Sequence, residues 1–277
     1  MSDAVADAVA RLREAGVSNA RLDARLLWEY AKSVEVSALF AKGRLEGIFA
    51  SLIARRACRE PLAYITGTKE FWSLDFAVGP GVLIPRPDSE TLIEALLHTY
   101  PDRATPLSIL DLGTGSGCLL IAALSEYPNA HGVGIDQSAE ALAWARRNVG
   151  AHHLEHRSSL IESGWLEEAQ PGFDVILCNP PYIRTVDIAS LEPEVARFEP
   201  AAALDGGPDG QGAYRELAPR IGRLLKPSGR AFVELGAGQG AAVSALMAAQ
   251  DLEPLEISAD LAGIPRCLAL RRNNRRV

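Results

Sequence analysis

Cysteine is scarce and scattered in this chain of 277 residues: Cys58, Cys118, Cys178 and Cys267 form no C-x-x-C pair. That argues against a disulfide framework or a zinc site and predicts buried or half-buried thiols in a reducing compartment. No apolar stretch reaches the roughly 20 residues that a bilayer-spanning helix needs. The opening residues, Met1 to Asp7, are acidic and lack the basic start and apolar core of a signal peptide. A soluble, cytoplasmic protein with no membrane partner and no metal is expected. Basic runs are nearly absent too; Arg271-Arg272 with Arg275-Arg276, at the end of the sequence, reads as a solvated tail. The net charge of −7 is uneven, with 11 Lys and Arg against 10 Asp and Glu in residues 1–85, and 17 against 25 in residues 86–277. An acidic main part suits DNA poorly, because counterion-driven affinity needs clustered Lys and Arg. It leaves room for a short or pre-folded RNA.

What is present is enough for a sizeable core: 48% of residues are apolar and 23% charged. The length allows one large domain plus a small one. Residues 1–61 read as short amphipathic helices, with Val5, Val9 and Leu12 on one face and Leu22, Leu26 and Leu27 following a cap at Ser18-Asn19. Residues 36–40 and 48–57 suggest two more. Residues 62–86 read as a linking β-hairpin, its strands at 62–66 and 71–78 around the turn Gly67-Thr68-Lys69. From Pro87 onward short apolar runs alternate with helical segments. Strands are predicted at 107–112, 132–135, 173–178 and 231–235, with helices starting at Asp88 and over 117–126, 139–149, 213–225 and 239–249. This alternation predicts an α/β, doubly wound and mostly parallel sheet over residues 87–277. Residues 254–258 and 267–271 suit an antiparallel edge pair.

Asp111-Leu112-Gly113-Thr114-Gly115-Ser116-Gly117 closes the first strand of that sheet and opens a helix. Glycines there let the backbone turn sharply and approach a ligand at the carboxyl end of the strands. The spacing is G-x-G-x-G after an acid, the pattern used for S-adenosylmethionine, whose methionine and ribose pack on such a loop. NAD, the rival ligand, has a pyrophosphate to cradle and calls for G-x-G-x-x-G. Asp136 ends the next strand, where a carboxylate can accept from both ribose hydroxyls. Its competing reading is the N-cap of the following helix.

Asn179-Pro180-Pro181-Tyr182 follows another apolar strand. Proline has no N–H and restricts the chain, so Pro180 and Pro181 leave nearby carbonyls without a competing donor. The Asn179 side-chain oxygen and a backbone carbonyl can then each accept one hydrogen of an NH₂ group, and Tyr182 offers a flat face to the planar group. Holding both hydrogens orients a weakly nucleophilic nitrogen toward a methyl group and favours the charge that grows on it. The plain alternative is a rigid turn. The motif fits an amide or an aromatic amine, so an amino-methyltransferase acting on adenine or guanine of DNA or RNA stands as the alternative substrate reading.

Further blocks extend the pattern: Arg59-Glu60-Pro61-Leu62-Ala63-Tyr64-Ile65, Glu70-Phe71-Trp72, Ile84 to Glu90, Arg197-Phe198-Glu199-Pro200, Asp209-Gly210 with Tyr214-Arg215, and Asp260 to Gly263. With them the chain resembles, over essentially its whole length, the PrmC/HemK glutamine methyltransferases that modify peptide chain release factors. The resemblance implies methylation of N5 of the glutamine in the Gly-Gly-Gln loop of class I release factors. It also implies a helical N-domain that grips this partner and a seven-stranded catalytic domain. Gly113 to Gly117, Asp136, Trp165 and Asn179 would hold the cofactor, and Asn179 to Tyr182 the glutamine. The family usually has Asp before the Trp, facing the adenine amino group; this chain has Gly164 there. Trp165 itself is otherwise read as surface packing.

Other features carry less. His152, His153 and His156 form a cluster without a Cys or carboxylate ligand pattern, better read as a solvated turn than as a metal site. Glu234-Leu235-Gly236-Ala237-Gly238 imitates a second glycine fingerprint but is expected to end a strand and begin a helix. The glycine-rich segment 205–212 is either a flap over the substrate or an ordinary surface loop. Glu199 either positions the clamp loop or the partner, or forms a structural salt bridge.

Overall fold

The computed structural model describes residues 3–37, 45–164 and 171–273. The chain divides into two compact units, one of Met1–Thr68 with Leu191–Phe198 and one of Lys69–Ser190 with Glu199–Val277.

The first unit is helical. Helix α1 (Asp3–Glu14) buries Val5, Ala8, Val9 and Leu12, the i, i+3, i+4, i+7 stripe of an amphipathic helix. Helix α2 (Ala20–Ser37) starts directly after Ser18-Asn19, but its buried face is Ala20, Ala24, Leu27 and Ala31. Of the leucines Leu22, Leu26 and Leu27 only Leu27 is buried; Leu22 and Leu26 are exposed, because the small-residue stripe sets which side packs. Helix α3 (Leu45–Ala57) supplies Phe49, whose ring meets Trp28 edge-on at 4.9 Å. Of the helix expected at 36–40, Val36 and Ser37 form the end of α2, and the rest lies outside the described residues. Arg56 forms a buried ion pair with Asp23 at 2.7 Å and reaches Glu194 of the helix Pro193–Phe198 at 2.7 Å. Arg59 binds the same Glu194 and also Glu192. This second segment of the unit, carried in by two arginines, has no counterpart in the apolar pattern.

The predicted strand at 62–66 is instead the short helix α4 (Leu62–Thr66). Pro61 pre-sets its start and Gly67, at φ 77°, stops it by donating its N–H to Ala63 O. The proline-before, glycine-after arrangement outweighs the strand preference of Tyr64 and Ile65. The hairpin forms one step later, from β1 (Thr68–Phe71) and β2 (Leu74–Ala77), around Trp72-Ser73 rather than Gly67-Thr68-Lys69. Trp72 and Ser73 have φ of 54° and 58°, the twist of a two-residue primed turn, and Glu90 and Glu70 accept their N–H groups. The hairpin lies in the second unit and sinks Phe71 and Phe76 into its core.

The rest of that unit is the expected doubly wound α/β sheet of seven strands: β3 (Ser108–Leu112), β4 (His131–Asp136), β5 (Ser158–Glu162), β6 (Phe173–Cys178), β7 (Leu225–Glu234), β8 (Leu252–Ala259) and β9 (Pro265–Arg272). Their order is β5-β4-β3-β6-β7-β9-β8, with β9 antiparallel to both its neighbours and the others parallel. Side chains alternate between two cores: Ile109 packs with α5 (Glu90–Thr99) and α6 (Cys118–Glu126), while Leu110 packs with the helices Gly212–Leu224 and Gly240–Ala248. The apolar pattern leaves out β5, a short edge strand with two serines and no fully buried residue. The antiparallel edge pair expected at 254–258 and 267–271 forms as β8 and β9, with β9 next to β7 and β8 outermost. Among the described residues no helix is long and apolar enough to cross a membrane.

Candidate active site

Strands β3 and β6 end in register, Leu112 beside Cys178, and Ile135 of β4 flanks Leu112 on the other side. The glycine loop, Asp136 and Asn179 therefore leave the sheet at one carboxyl edge, at the point where connections diverge to either side of β3. This is where open α/β sheets bind ligands. A cavity of about 310 Å³ opens there, lined by Gly113 to Ser116, Asp136, Asn179 and Pro181 together with Val82, Arg86 and Ser89.

The loop is held by β4. Gly113 and Thr114 N–H groups both donate to Ile135 O at 2.9 Å, and Gly117 N–H closes the turn on Thr114 O at 2.8 Å. Gly113, Gly115 and Gly117 all have positive φ, of 70°, 56° and 81°, a run that side chains resist. Asp136 organises the loop from the far side, accepting from Gly115 N–H and Ser138 N–H at 2.9 Å each. Ser138, not Asp136, caps α7 (Ala139–Ala151), accepting from Ala141 N–H. A carboxylate offers about four acceptor directions, so Asp136 retains two for hydroxyls in the cavity. Burial raises its pKa against the pull of those N–H groups.

Not every predicted residue reaches the cavity. Asp111 is buried behind it, its Oδ2 accepting from Thr114 Oγ1 at 2.7 Å and its Oδ1 without a partner. Burial pushes its carboxyl up to about 7. Gly117 turns into α6 and lies off the lining, Pro180 is buried, and Tyr182 directs its hydroxyl away to Glu234 at 3.0 Å. Trp165 lies outside the described residues. Gly164 is exposed, with nothing within 4 Å of where a Cβ would stand.

Asn179 donates from Nδ2 to Ser89 Oγ at 3.0 Å. Among the described residues no protein donor reaches its Oδ1 or the Pro180 carbonyl. Two free acceptors thus flank the cavity end of β6. Segment 205–212 braces the clamp from behind. Gly206 N–H donates to Ile183 O at 2.8 Å, and Gln239 Nε2 ties Tyr182 O to Gly210 O. A Cβ on Gly210 would stand 2.5 Å from Tyr182 O, so glycine is required by close backbone approach. Glu199 resolves as a structural salt bridge, with Arg86 at 2.5 Å, and also accepts from Ile84 N–H, which builds the 82–86 wall of the cavity. His152 donates from Nε2 to Asp75 O at 2.9 Å and packs on Phe76. Among the described residues no group of three or more His, Cys, Asp or Glu is placed to hold a metal.

Sequence reasoning missed Asn148, Ser89 and Glu234. Asn148, fully buried, takes both polar groups of Ala77 and donates to Ser116 O, tying the hairpin to the glycine loop. Its signal was available: it shares the inner face of α7 with Leu142, Ala145 and Val149. Glu234, at the end of β7, accepts from both Ser89 and Tyr182.

The residues fit S-adenosylmethionine on this geometry: a glycine cradle and, on the cavity wall beside it, the Asp136 carboxylate with acceptor capacity to spare. Comparisons agree. Residues 87–193 match the methyltransferase small domain and residues 3–67 the PrmC N-terminal domain. The fold is shared with a methyltransferase from Pyrococcus furiosus (TM-score 0.55, 18% identity, 79% of this chain and 98% of that one). It is shared also with a ribosomal protein L11 methylase from Lactobacillus delbrueckii subsp. bulgaricus (0.52, 20%, 71% and 84%). The release factor glutamine methyltransferase of Rhodospirillum rubrum is 46% identical over 95% of this chain and 82% of its own length. That of Caulobacter vibrioides is 44% identical over 91% and 89%. With identity of this order running through both units, the chain belongs to the release factor glutamine methyltransferase family.

Proposed function

We propose that this chain transfers a methyl group from S-adenosylmethionine to N5 of the glutamine in the Gly-Gly-Gln motif of class I peptide chain release factors. The observation that carries the reading is Asn179, which lines the cavity together with the glycine loop and whose Oδ1 no described protein donor claims; the equally unclaimed Pro180 carbonyl follows it in the chain. Bound S-adenosylmethionine supplies an electrophilic methyl group on a sulfonium. The chain's own residues do the rest by position. Gly113 to Ser116 and Asp136 hold the cofactor, with Gly117 turning the loop into its helix and Asp111 fixing it from behind through Thr114; Trp165 is assigned to the cofactor by the family resemblance. Asn179 and Pro180 each accept one hydrogen of the target NH₂, and Pro181 and Tyr182 shape the slot around it. Both contacts strengthen as positive charge grows on nitrogen, which is where hydrogen bonds lower the barrier. The nitrogen becomes acidic on alkylation, so no strong base is needed beforehand, and no metal is called for.

The domain roles follow. Residues 1–61 recognise the release factor, 62–86 connect, and 87–277 carry out transfer. The partner is a protein, not DNA or a membrane, and the setting is the cytoplasm, where translation factors work. The test is incubation with labelled S-adenosylmethionine and a purified release factor, followed by mass spectrometry of the Gly-Gly-Gln peptide. One added methyl on that glutamine is expected. Label on RNA or DNA with none on the peptide would overturn the assignment.

A further inference from the structure

Beside the clamp lies a buried hydrogen-bond chain that the transfer chemistry does not itself use. Glu234 is fully buried at the end of β7. Its carboxylate accepts from the hydroxyl of Ser89, in a short contact, and from that of Tyr182 at 3.0 Å. Its backbone carbonyl accepts from Tyr214 at 2.9 Å. Ser89, also buried, ends the turn Pro87–Ser89 that precedes α5, and its Oγ receives Nδ2 of Asn179 at 3.0 Å.

The direction of this chain follows from counting hydrogens. Burial raises the Glu234 carboxyl to about 7; in its ionised form, which prevails above that pH, it has no hydrogen to give, so its bond to Ser89 consumes the only hydrogen that Ser89 has. Ser89 Oγ is then left with lone pairs alone and can only accept. Asn179 must meet it with NH₂, since its other face would set oxygen against oxygen. The amide oxygen consequently points the opposite way, and Asn179 lines the cavity. The same carboxylate anchors Tyr182, so both ends of the clamp are referred to one buried group.

We propose that Ser89 and Glu234 are positioning residues that set the polarity of the clamp: they lock the Asn179 amide with its oxygen toward the target, so the site accepts an NH₂ and refuses a carboxylate. Burial alone would leave an asparagine free to flip, because its two ends have nearly the same shape. With the lock in place, glutamine meets an acceptor, whereas glutamate meets oxygen facing oxygen. Without it, Asn179 can turn NH₂ outward and bind either. The proposal rests on the reading of Asn179 as the amide clamp.

The experiment measures equilibrium binding of the full-length protein, with S-adenosylhomocysteine present to prevent turnover, to two forms of a purified release factor. One carries the target glutamine and the other glutamate in its place. The wild type is expected to prefer the glutamine form by about tenfold or more, as a site with oriented polar groups does against a mismatched ligand. Ser89→Ala should narrow this ratio to about twofold, chiefly by gaining affinity for the glutamate form, with S-adenosylhomocysteine affinity unchanged. A merely structural role for Ser89 would weaken both forms equally and keep the ratio. Ser89→Cys keeps the side-chain volume but hydrogen-bonds weakly, and carries the same expectation should thermal melting show that the alanine variant does not fold. A ratio preserved in a folded Ser89 variant would overturn the lock alone. No preference in the wild type would overturn the clamp reading on which it stands.

Discussion

Asp111→Asn offers a quantitative check on the buried acceptor behind the glycine loop. Burial pushes the Asp111 carboxyl up to about 7, against the pull of the Thr114 hydroxyl, while an ordinary Asp titrates near 4. Between those values the folded state keeps a proton that the unfolded chain has lost. Folding is therefore favoured at the acid end, and the contribution falls as pH rises toward 7, where the folded carboxyl finally ionises. One pH unit corresponds to 1.36 kcal/mol, so from pH 5.5 to 8 the contribution should drop by about 2 kcal/mol. Asparagine has the same shape, keeps an oxygen for Thr114 and does not titrate. Urea unfolding of both proteins at pH 5.5 and 8 gives the difference directly, and all other titrating groups cancel. The wild type should lose about 2 kcal/mol relative to Asp111→Asn across that interval. A difference independent of pH would refute the assignment of a proton to this buried group.

Other substitutions probe the remaining supports. Asn179→Ala should reduce turnover by at least about 100-fold while S-adenosylmethionine binding stays within about threefold, since one transition-state acceptor is worth that much; unchanged kcat would sink the clamp. Gly210→Ala places a Cβ 2.5 Å from Tyr182 O at φ 74°, so we expect a stability loss of about 1–2 kcal/mol, read by thermal melting, and a fall in kcat that outruns it. Glu194→Ala takes one carboxylate from Arg56, which keeps Asp23, and one from Arg59, which keeps Glu192, and should destabilise the helical unit by about 1–3 kcal/mol, seen as an early transition in circular dichroism. Asn148→Leu leaves Ser116 O and both polar groups of Ala77 without their partner, and should loosen cofactor binding before it abolishes the fold, measured by calorimetry.

What was legible in the sequence is what the backbone dictates locally. Gly113, Gly115 and Gly117 announce a run of positive φ, and Pro180-Pro181 announces carbonyls without donors; both signals are contained within a few residues. Strand β3 and strand β6 read plainly because parallel strands covered on both faces are nearly all apolar. The local reading failed where two local rules competed, as at 62–66, and where an edge strand such as β5 is too polar and short to stand out. Leu22 and Leu26 misled because apolar character does not say which stripe of a helix will find a partner.

The support behind the site was illegible for a different reason. Ser89, Asn179 and Glu234 are separated by 90 and then 55 residues, and each taken alone has an ordinary local explanation: a turn, a rigid loop, the end of a strand. Their relation appears only when β6 and β7 lie side by side, Cys178 beside Val233, so that the residue after each pair points to the same edge. A buried glutamate at a strand end is costly unless donors reach it, and here the donors are two side chains, Ser89 and Tyr182, supplied from elsewhere in the chain. The loop motif thus specifies which atoms can face the substrate, but their orientation is set by a carboxylate that the motif does not contain. Recognition of an amide over an acid is then a property of the sheet that gathers these residues, and the four residues of the clamp carry it only in that setting.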